Sequence, residues 1–151
     1  MEATSKNSTA AIINLSTLTQ YFIPFGNFIF PIILWTANKD KSDYVNVQGK
    51  ETINFQLSLF LYSLLLAMLA IPALLVAVFK DANFNALVNG DDLVFDNFSI
   101  GEHTGLLTFG IMAVVVFVFM KVAEFFLIIH ASVKTSNGED FKYPLTIRFI
   151  K

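Results

Sequence analysis

Cysteine is absent from this chain of 151 residues, which excludes disulfide bonds, thiolate metal sites and a cysteine nucleophile. Histidine occurs twice, as His103 and His130, too far apart and too short of companions to suggest a metal or catalytic cluster, so each reads as an interfacial residue. Charged side chains make up 15% of the chain, against about 25% in an ordinary soluble domain, which leaves no water-facing coat. A formal charge of −2 is too small to imply a nucleic acid or acidic partner. No Ser/His/Asp grouping or paired acidic site is present, so neither enzymatic activity nor a cofactor is expected.

What the chain does contain is apolar surface. Hydrophobic residues make up 55%, 17 of them Phe, and the mean hydropathy is +0.62. They gather in three segments, about 12–36, 53–79 and 105–133, each longer than the roughly 20 residues a helix needs to cross a hydrocarbon core of about 30 Å. The expected fold is therefore all-α: an integral membrane bundle of three long hydrophobic helices, with a polar N-terminus (1–9), an outer loop (80–104) and a tail (134–151). The N-terminus carries one basic residue, Lys6, and no cleavage site follows the first apolar run, so a signal peptide is not expected and the first residues read as flexible.

Orientation follows Lys and Arg. Lys39, Lys41 and Lys50 lie in the first connection and Lys134, Lys142, Arg148 and Lys151 in the tail, whereas Lys6 and Lys80 lie on the other side of a three-span arrangement. The expectation is a multi-pass protein of the bacterial inner membrane, with the first connection and C-terminus cytoplasmic. The outer loop would then carry Asp81, Asp91, Asp92, Asp96 and Glu102 against Lys80. Asp81, Asn83, Asn85 and Asp92 match a calcium-loop template weakly, because Ala86 stands where the sharp turn needs Gly. A solvated acidic loop with an Asn89-Gly90 turn is the preferred reading.

Pro24, Gly26 and Pro31 interrupt the first segment, so its helix must kink or break near Pro24-Phe25-Gly26-Asn27. Two arrangements satisfy this: a kinked single span, or a re-entrant pair of half-helices lining a cavity with Asn14, Thr17, Gln20 and Asn27. In the second segment Glu51 is placed at a helix start, and Asn54, Ser58 and Tyr62 recur every four residues and share one face. The third segment carries Lys121 and Glu124, neighbours at i and i+3 on a stripe shared with Gly110 and Ser132. A central charge is costly, so the pair either faces a cavity or lies at the cytoplasmic boundary with Lys121 snorkelling. Asn137-Gly138 reads as a helix stop, and beyond it Tyr143, Leu145, Ile147 and Phe149 alternate with Pro144, Thr146 and Arg148, the pattern of an extended strip lying along the headgroups as a surface anchor or across the cytoplasmic ends of the helices.

Three blocks carry a resemblance: Pro24-Phe25-Gly26-Asn27 with Pro31 to Trp35, Gly49-Lys50-Glu51-Thr52-Ile53-Asn54-Phe55-Gln56, and Asn137-Gly138-Glu139 through Tyr143 to Ile150. They resemble a bacterial family of small membrane proteins similar to the twenty-kilodalton channel component of the chloroplast inner-envelope import translocon (Tic20-like). The resemblance implies a non-enzymatic subunit or accessory factor of protein translocation or membrane-protein assembly. The alternative is a small oligomeric ion or solute carrier using Lys121 and Glu124. The candidate functional polar positions are Asn27, Lys50, Glu51, Asn54, Gln56, Lys121, Glu124 and Arg148, with no catalytic, cofactor-binding or metal residue among them. Polar and small-residue faces point to partners within the lipid bilayer, a second copy of the chain or a larger membrane protein.

Overall fold

A computed structural model of the chain describes residues 2–79 and 100–151, with side chains described at 4–77 and 104–151. Its elements are α1 (Glu2–Ser16), a 3-10 turn (Thr17–Tyr21), α2 (Gly26–Asn38), α3 (Asp43–Phe79) and α4 (Ile100–Ser136). Among the described residues there is no strand, and all regular structure is helical, as the apolar patterning implied. Among the described residues, only α3 and α4 are long and apolar enough to cross a membrane. Their most apolar windows have a mean hydropathy of 2.5 and are only 11% and 17% buried, whereas the core helix of a water-soluble protein is largely covered. The calcium-loop template and the Asn89-Gly90 turn lie outside the described residues.

The first expected span, 12–36, is not a single helix. The chain breaks where the prolines placed the break, and Phe25 takes the left-handed conformation (φ 60°) immediately before α2. α1 and α2 then pack against each other as a helical hairpin. Three closely spaced hydroxyls make this possible, because the last carbonyls of a helix have no intrahelical partner. Ser16 Oγ donates to the Ile13 carbonyl (2.7 Å), Thr17 Oγ1 to the Asn14 carbonyl (2.7 Å) and Thr19 Oγ1 to the Ser16 carbonyl (2.6 Å). The turn continues through Phe22 and Ile23 amides donating to the Thr19 carbonyl at 3.0 and 2.8 Å.

Contacts divide the chain into two compact units, Met1–Tyr62 with Met120–Lys151, and Ser63–Phe119. In the first, α3, the end of α4 and the tail share a small aromatic core of Phe55, Leu59, Ala131, Phe141 and Tyr143. The Phe55 and Tyr143 rings stack at 4.1 Å, Phe141 meets Tyr143 edge-on at 4.9 Å, and His130 meets Phe141 edge-on at 5.4 Å. The second unit is simpler. Small residues (Ala67, Ala70, Ala113) line an apolar groove, Gly110 lies against the Leu74 side chain, and Met68, Leu69, Val115 and Phe119 point outward. Close approach at small residues and outward apolar side chains are the usual pattern of helices packed in lipid.

Both long helices exceed the apolar segments that announced them. α3 starts at Asp43, so Glu51 lies two turns inside it and not at its positive end, and α3 runs unbroken through Pro72. α4 ends as expected at Asn137-Gly138: Gly138 (φ 80°) donates to the Thr135 carbonyl and Glu139 to the Lys134 carbonyl, both at 3.1 Å, a Schellman closure that favours glycine at this position.

Gly49 faces the ring of Trp35, whose Nε1 donates to Asn46 Oδ1 at 3.1 Å. A Cβ at position 49 would collide with Trp35 Cδ1 and sit 2.9 Å from Cγ, and a held indole cannot step aside cheaply. Gly49→Ala is therefore expected to destabilise the protein by about 1–3 kcal/mol despite alanine's better helix propensity. Thermal unfolding in detergent, followed by Trp35 fluorescence, measures this; an unchanged midpoint would contradict the packing described.

Candidate functional site

The polar side chains that the apolar segments carry inward converge in the first unit. Asn14, on α1, is the hub and is almost completely buried. Its Oδ1 accepts from Thr52 Oγ1 of α3 (2.6 Å) and from the Tyr143 hydroxyl of the tail (2.7 Å). Its Nδ2 donates to Thr135 Oγ1 of α4 and to the Ala10 carbonyl, both at 3.2 Å. One amide thus joins the hairpin, both long helices and the tail. Burial pushes the Tyr143 phenol well above the ordinary tyrosine range, with the Thr52 hydroxyl opposing and the Glu124 charge adding to the shift, so the phenol remains a donor.

Two further amide contacts tie the hairpin down. Asn27 Nδ2, at the start of α2, donates to Gln56 Oε1 at 2.8 Å, leaving Gln56 Nε2 buried without a partner. Gln20 Nε2 donates to Glu124 Oε1 at 2.9 Å, and Lys121 Nζ reaches both Glu124 Oε2 (2.8 Å) and Gln20 Oε1 (3.3 Å). The Glu124 side chain is 0% exposed and that of Lys121 31%. The carboxylate therefore has its charge and its lone pairs satisfied inside the protein, while the lysine stem reaches the surface.

The tail is held by a different face of α3. Asn54 Oδ1 accepts from the Phe149 and Ile150 amides (3.1 and 2.8 Å), and its Nδ2 donates to the Ile150 carbonyl (3.0 Å). Ser58 Oγ accepts from the Ile147 amide (2.8 Å), and the Tyr62 hydroxyl donates to the Leu145 carbonyl (2.8 Å). The stripe Asn54, Ser58 and Tyr62 thus replaces the strand an extended backbone would otherwise require. Glu51 pairs with Arg148 at 3.7 Å and Lys50 Nζ meets the Lys151 carbonyl at 2.9 Å at the surface. Within the tail only Phe141 and Tyr143 are buried, while Leu145 (φ 56°) is 82% exposed, so the strict alternation expected of the strip does not carry through.

The eight candidate positions therefore resolve into five contacts: Asn27 with Gln56, Glu51 with Arg148, Lys121 with Glu124, Asn54 with Phe149 and Ile150, and Lys50 with Lys151. They do not form one pocket. Sequence reasoning missed Thr52, Thr135 and Tyr143, the partners of the hub. The available signal was Gln48, Thr52 and Gln56, a second polar series at four-residue spacing on α3; Gln48 also bonds the tail through Asp140 Oδ1 and the Phe141 amide, both at 3.3 Å. Among the described residues no group of His, Asp or Glu side chains could hold a metal ion.

Removing the hub leaves several buried groups without partners, whereas removing the tail clamp releases backbone to water. Asn14→Ala is expected to cost about 1–3 kcal/mol of thermal stability. Asn54→Ala is expected to leave the fold nearly intact but speed tryptic cleavage at Arg148, read by mass spectrometry; equal protection in both proteins would refute the clamp.

Residues 5–150 match the magnetosome magnetite crystal formation protein family. No curated protein and no solved structure matches the chain. The match overturns the expected kinship with the chloroplast translocon channel component: the blocks at 24–35, 49–56 and 137–150 lie within a family defined by crystal formation, and protein translocation loses its support.

Proposed function

Because the chain belongs to the magnetosome magnetite crystal formation protein family, we propose that it is a non-enzymatic, multi-pass protein of the magnetosome membrane that acts in magnetite crystal formation. Two apolar helices of spanning length support the membrane assignment. The observation that carries the topology is the α1–α2 hairpin. Ser5, Lys6 and Thr9 of α1 line the same hollow as Asn38, Lys41 and Ser42 of the α2–α3 link, so the hairpin returns the N-terminus to the side of the first connection.

On that topology eight of the ten Lys and Arg residues share one side, all except Lys80 and Lys121, a stronger asymmetry than three full spans would give. That side is cytoplasmic. The sequence joining α3 to α4, with Asp81, Asp91, Asp92, Asp96 and Glu102, is then delivered to the compartment in which the mineral grows. Carboxylates there concentrate iron cations and meet the cationic sites of an oxide surface through oxygen, without a closed metal site. The polar lock of the first unit serves as the scaffold, and a second copy or a larger membrane protein covers part of the outward apolar surface.

Two measurements test this reading. Cysteines placed at Ser5 and Ser42 are expected to react with a membrane-impermeant maleimide from the same face of sealed vesicles; opposite faces would restore a single crossing. A magnetosome-forming strain lacking the protein is expected to make smaller magnetite crystals by electron microscopy, restored by the intact chain and only partly by one with Asp91, Asp92 and Asp96 changed to Asn. Crystals of unchanged size in the deletion strain would sink the assignment, and full restoration by the Asn variant would sink the role of the carboxylates.

A further inference from the structure

The hollow beside the hairpin, which above served only to place the N-terminus, also has a chemistry of its own. It encloses about 410 Å³ and is lined by Ser5, Lys6, Thr9, Asn38, Lys41 and Ser42, with Val45 the one apolar contributor. Its two lysines come from segments more than thirty residues apart in sequence, one on the first turns of α1 and one on the α2–α3 link. Asp40 and Asp43 flank Lys41 in sequence, yet among the described side chains no carboxylate lines the hollow. Lys41 Nζ is held instead by Asn38 Oδ1 at 3.1 Å, and Asn38 is fixed in turn by its Nδ2 donating to the Leu34 carbonyl at 2.8 Å. A neutral amide thus steers the ammonium without cancelling its charge. The Ser42 carbonyl accepts from the Asn46 amide at 3.0 Å, which places Ser42 at the positive end of the 37-residue α3.

We infer that this hollow binds a phosphate group, either the headgroup of an anionic phospholipid or free phosphate. Two ammonium groups match its charge, hydroxyls of Ser5 and Ser42 supply further donors, and the volume exceeds that of one phosphate, leaving room for a headgroup. Binding bridges the start of α1 to the α2–α3 link and so closes the hairpin from outside, where the Asn14 network closes it from within. The inference rests on the hollow and its lysines, not on the part played in crystal formation.

The test uses the full chain, purified in neutral detergent and in phosphatidylcholine nanodiscs, with unfolding followed through Trp35. One arm adds sodium phosphate against sodium chloride at matched ionic strength; the other replaces part of the phosphatidylcholine by phosphatidylglycerol. A raised midpoint with phosphatidylglycerol alone assigns the hollow to lipid, and a raised midpoint in both arms assigns it to phosphate as such. Lys6→Gln and Lys41→Gln are each expected to weaken the apparent affinity about fivefold. Lys134→Gln removes the same charge outside the hollow and is expected to leave it unchanged. No response to either probe, or an equal loss with Lys134→Gln, overturns the inference. Should Lys41→Gln reduce the yield of folded protein, Lys6→Gln on the exposed surface of α1 carries the comparison alone.

Discussion

A backbone polar group buried away from water must find its partner inside the protein, and the first forty residues are organised by that requirement. The chain breaks at Pro24 and Phe25, whereas Pro31 is carried inside α2, and a break in a helix releases carbonyls and amides that need other partners. The chain answers locally with the hydroxyls of Ser16, Thr17 and Thr19, which cover the end of α1. It answers globally with Asn14, Gln20 and Asn27, which spend their amides on α3, α4 and the tail. Polar residues that a uniform spanning helix would carry at a cost become the fasteners of a folded-back one.

The same requirement explains why α3 is polar on two faces. Gln48, Thr52 and Gln56 meet the hairpin and the beginning of the tail; Asn54, Ser58 and Tyr62 meet its end. An extended tail without a sheet has unpaired amides, and a helix cannot lend backbone groups to cover them. Side-chain amides and hydroxyls spaced one turn apart can. Asn54 is the most economical instance, since its carbonyl oxygen accepts from two successive amides while its NH2 returns a bond to the second residue.

Much of this was legible in the residues. The break at Pro24-Phe25-Gly26-Asn27, the stop at Gly138, the stripe of Asn54, Ser58 and Tyr62 and the pairing of Lys121 with Glu124 all follow from local rules about φ, periodicity and charge. The reversal of the first segment was open as one of two arrangements, because periodicity describes the face of a helix and not the element that covers it. Thr52 and Thr135 escaped notice since an isolated threonine in an apolar run looks like any β-branched filler, and Tyr143 reads as one more aromatic in an alternating strip. The family expectation failed for a related reason. The blocks at 24–35, 49–56 and 137–150 are the ones that build the polar lock, and residues that close a fold say little about what the fold is used for.

The hub also decides between the two arrangements of the first segment. In a single crossing, Asn14 would stand near one end of the 12–36 stretch and the α2–α3 link at the other, separated by about 33 Å at helical rise. Tyr143 follows the end of α4, and Gln48, four residues before Thr52, bonds the tail at Asp140 and Phe141. The link, the start of α3 and the tail therefore lie together. Asn14 nevertheless bonds Thr52, Tyr143 and Thr135 within 3.2 Å. A residue at the far end of one straight helix could not do so, whereas one on a helix folded back against α2 can. The buried amide of Asn14 thus ties α1 to α3, α4 and the tail at once, and so keeps the N-terminal helix beside the tail.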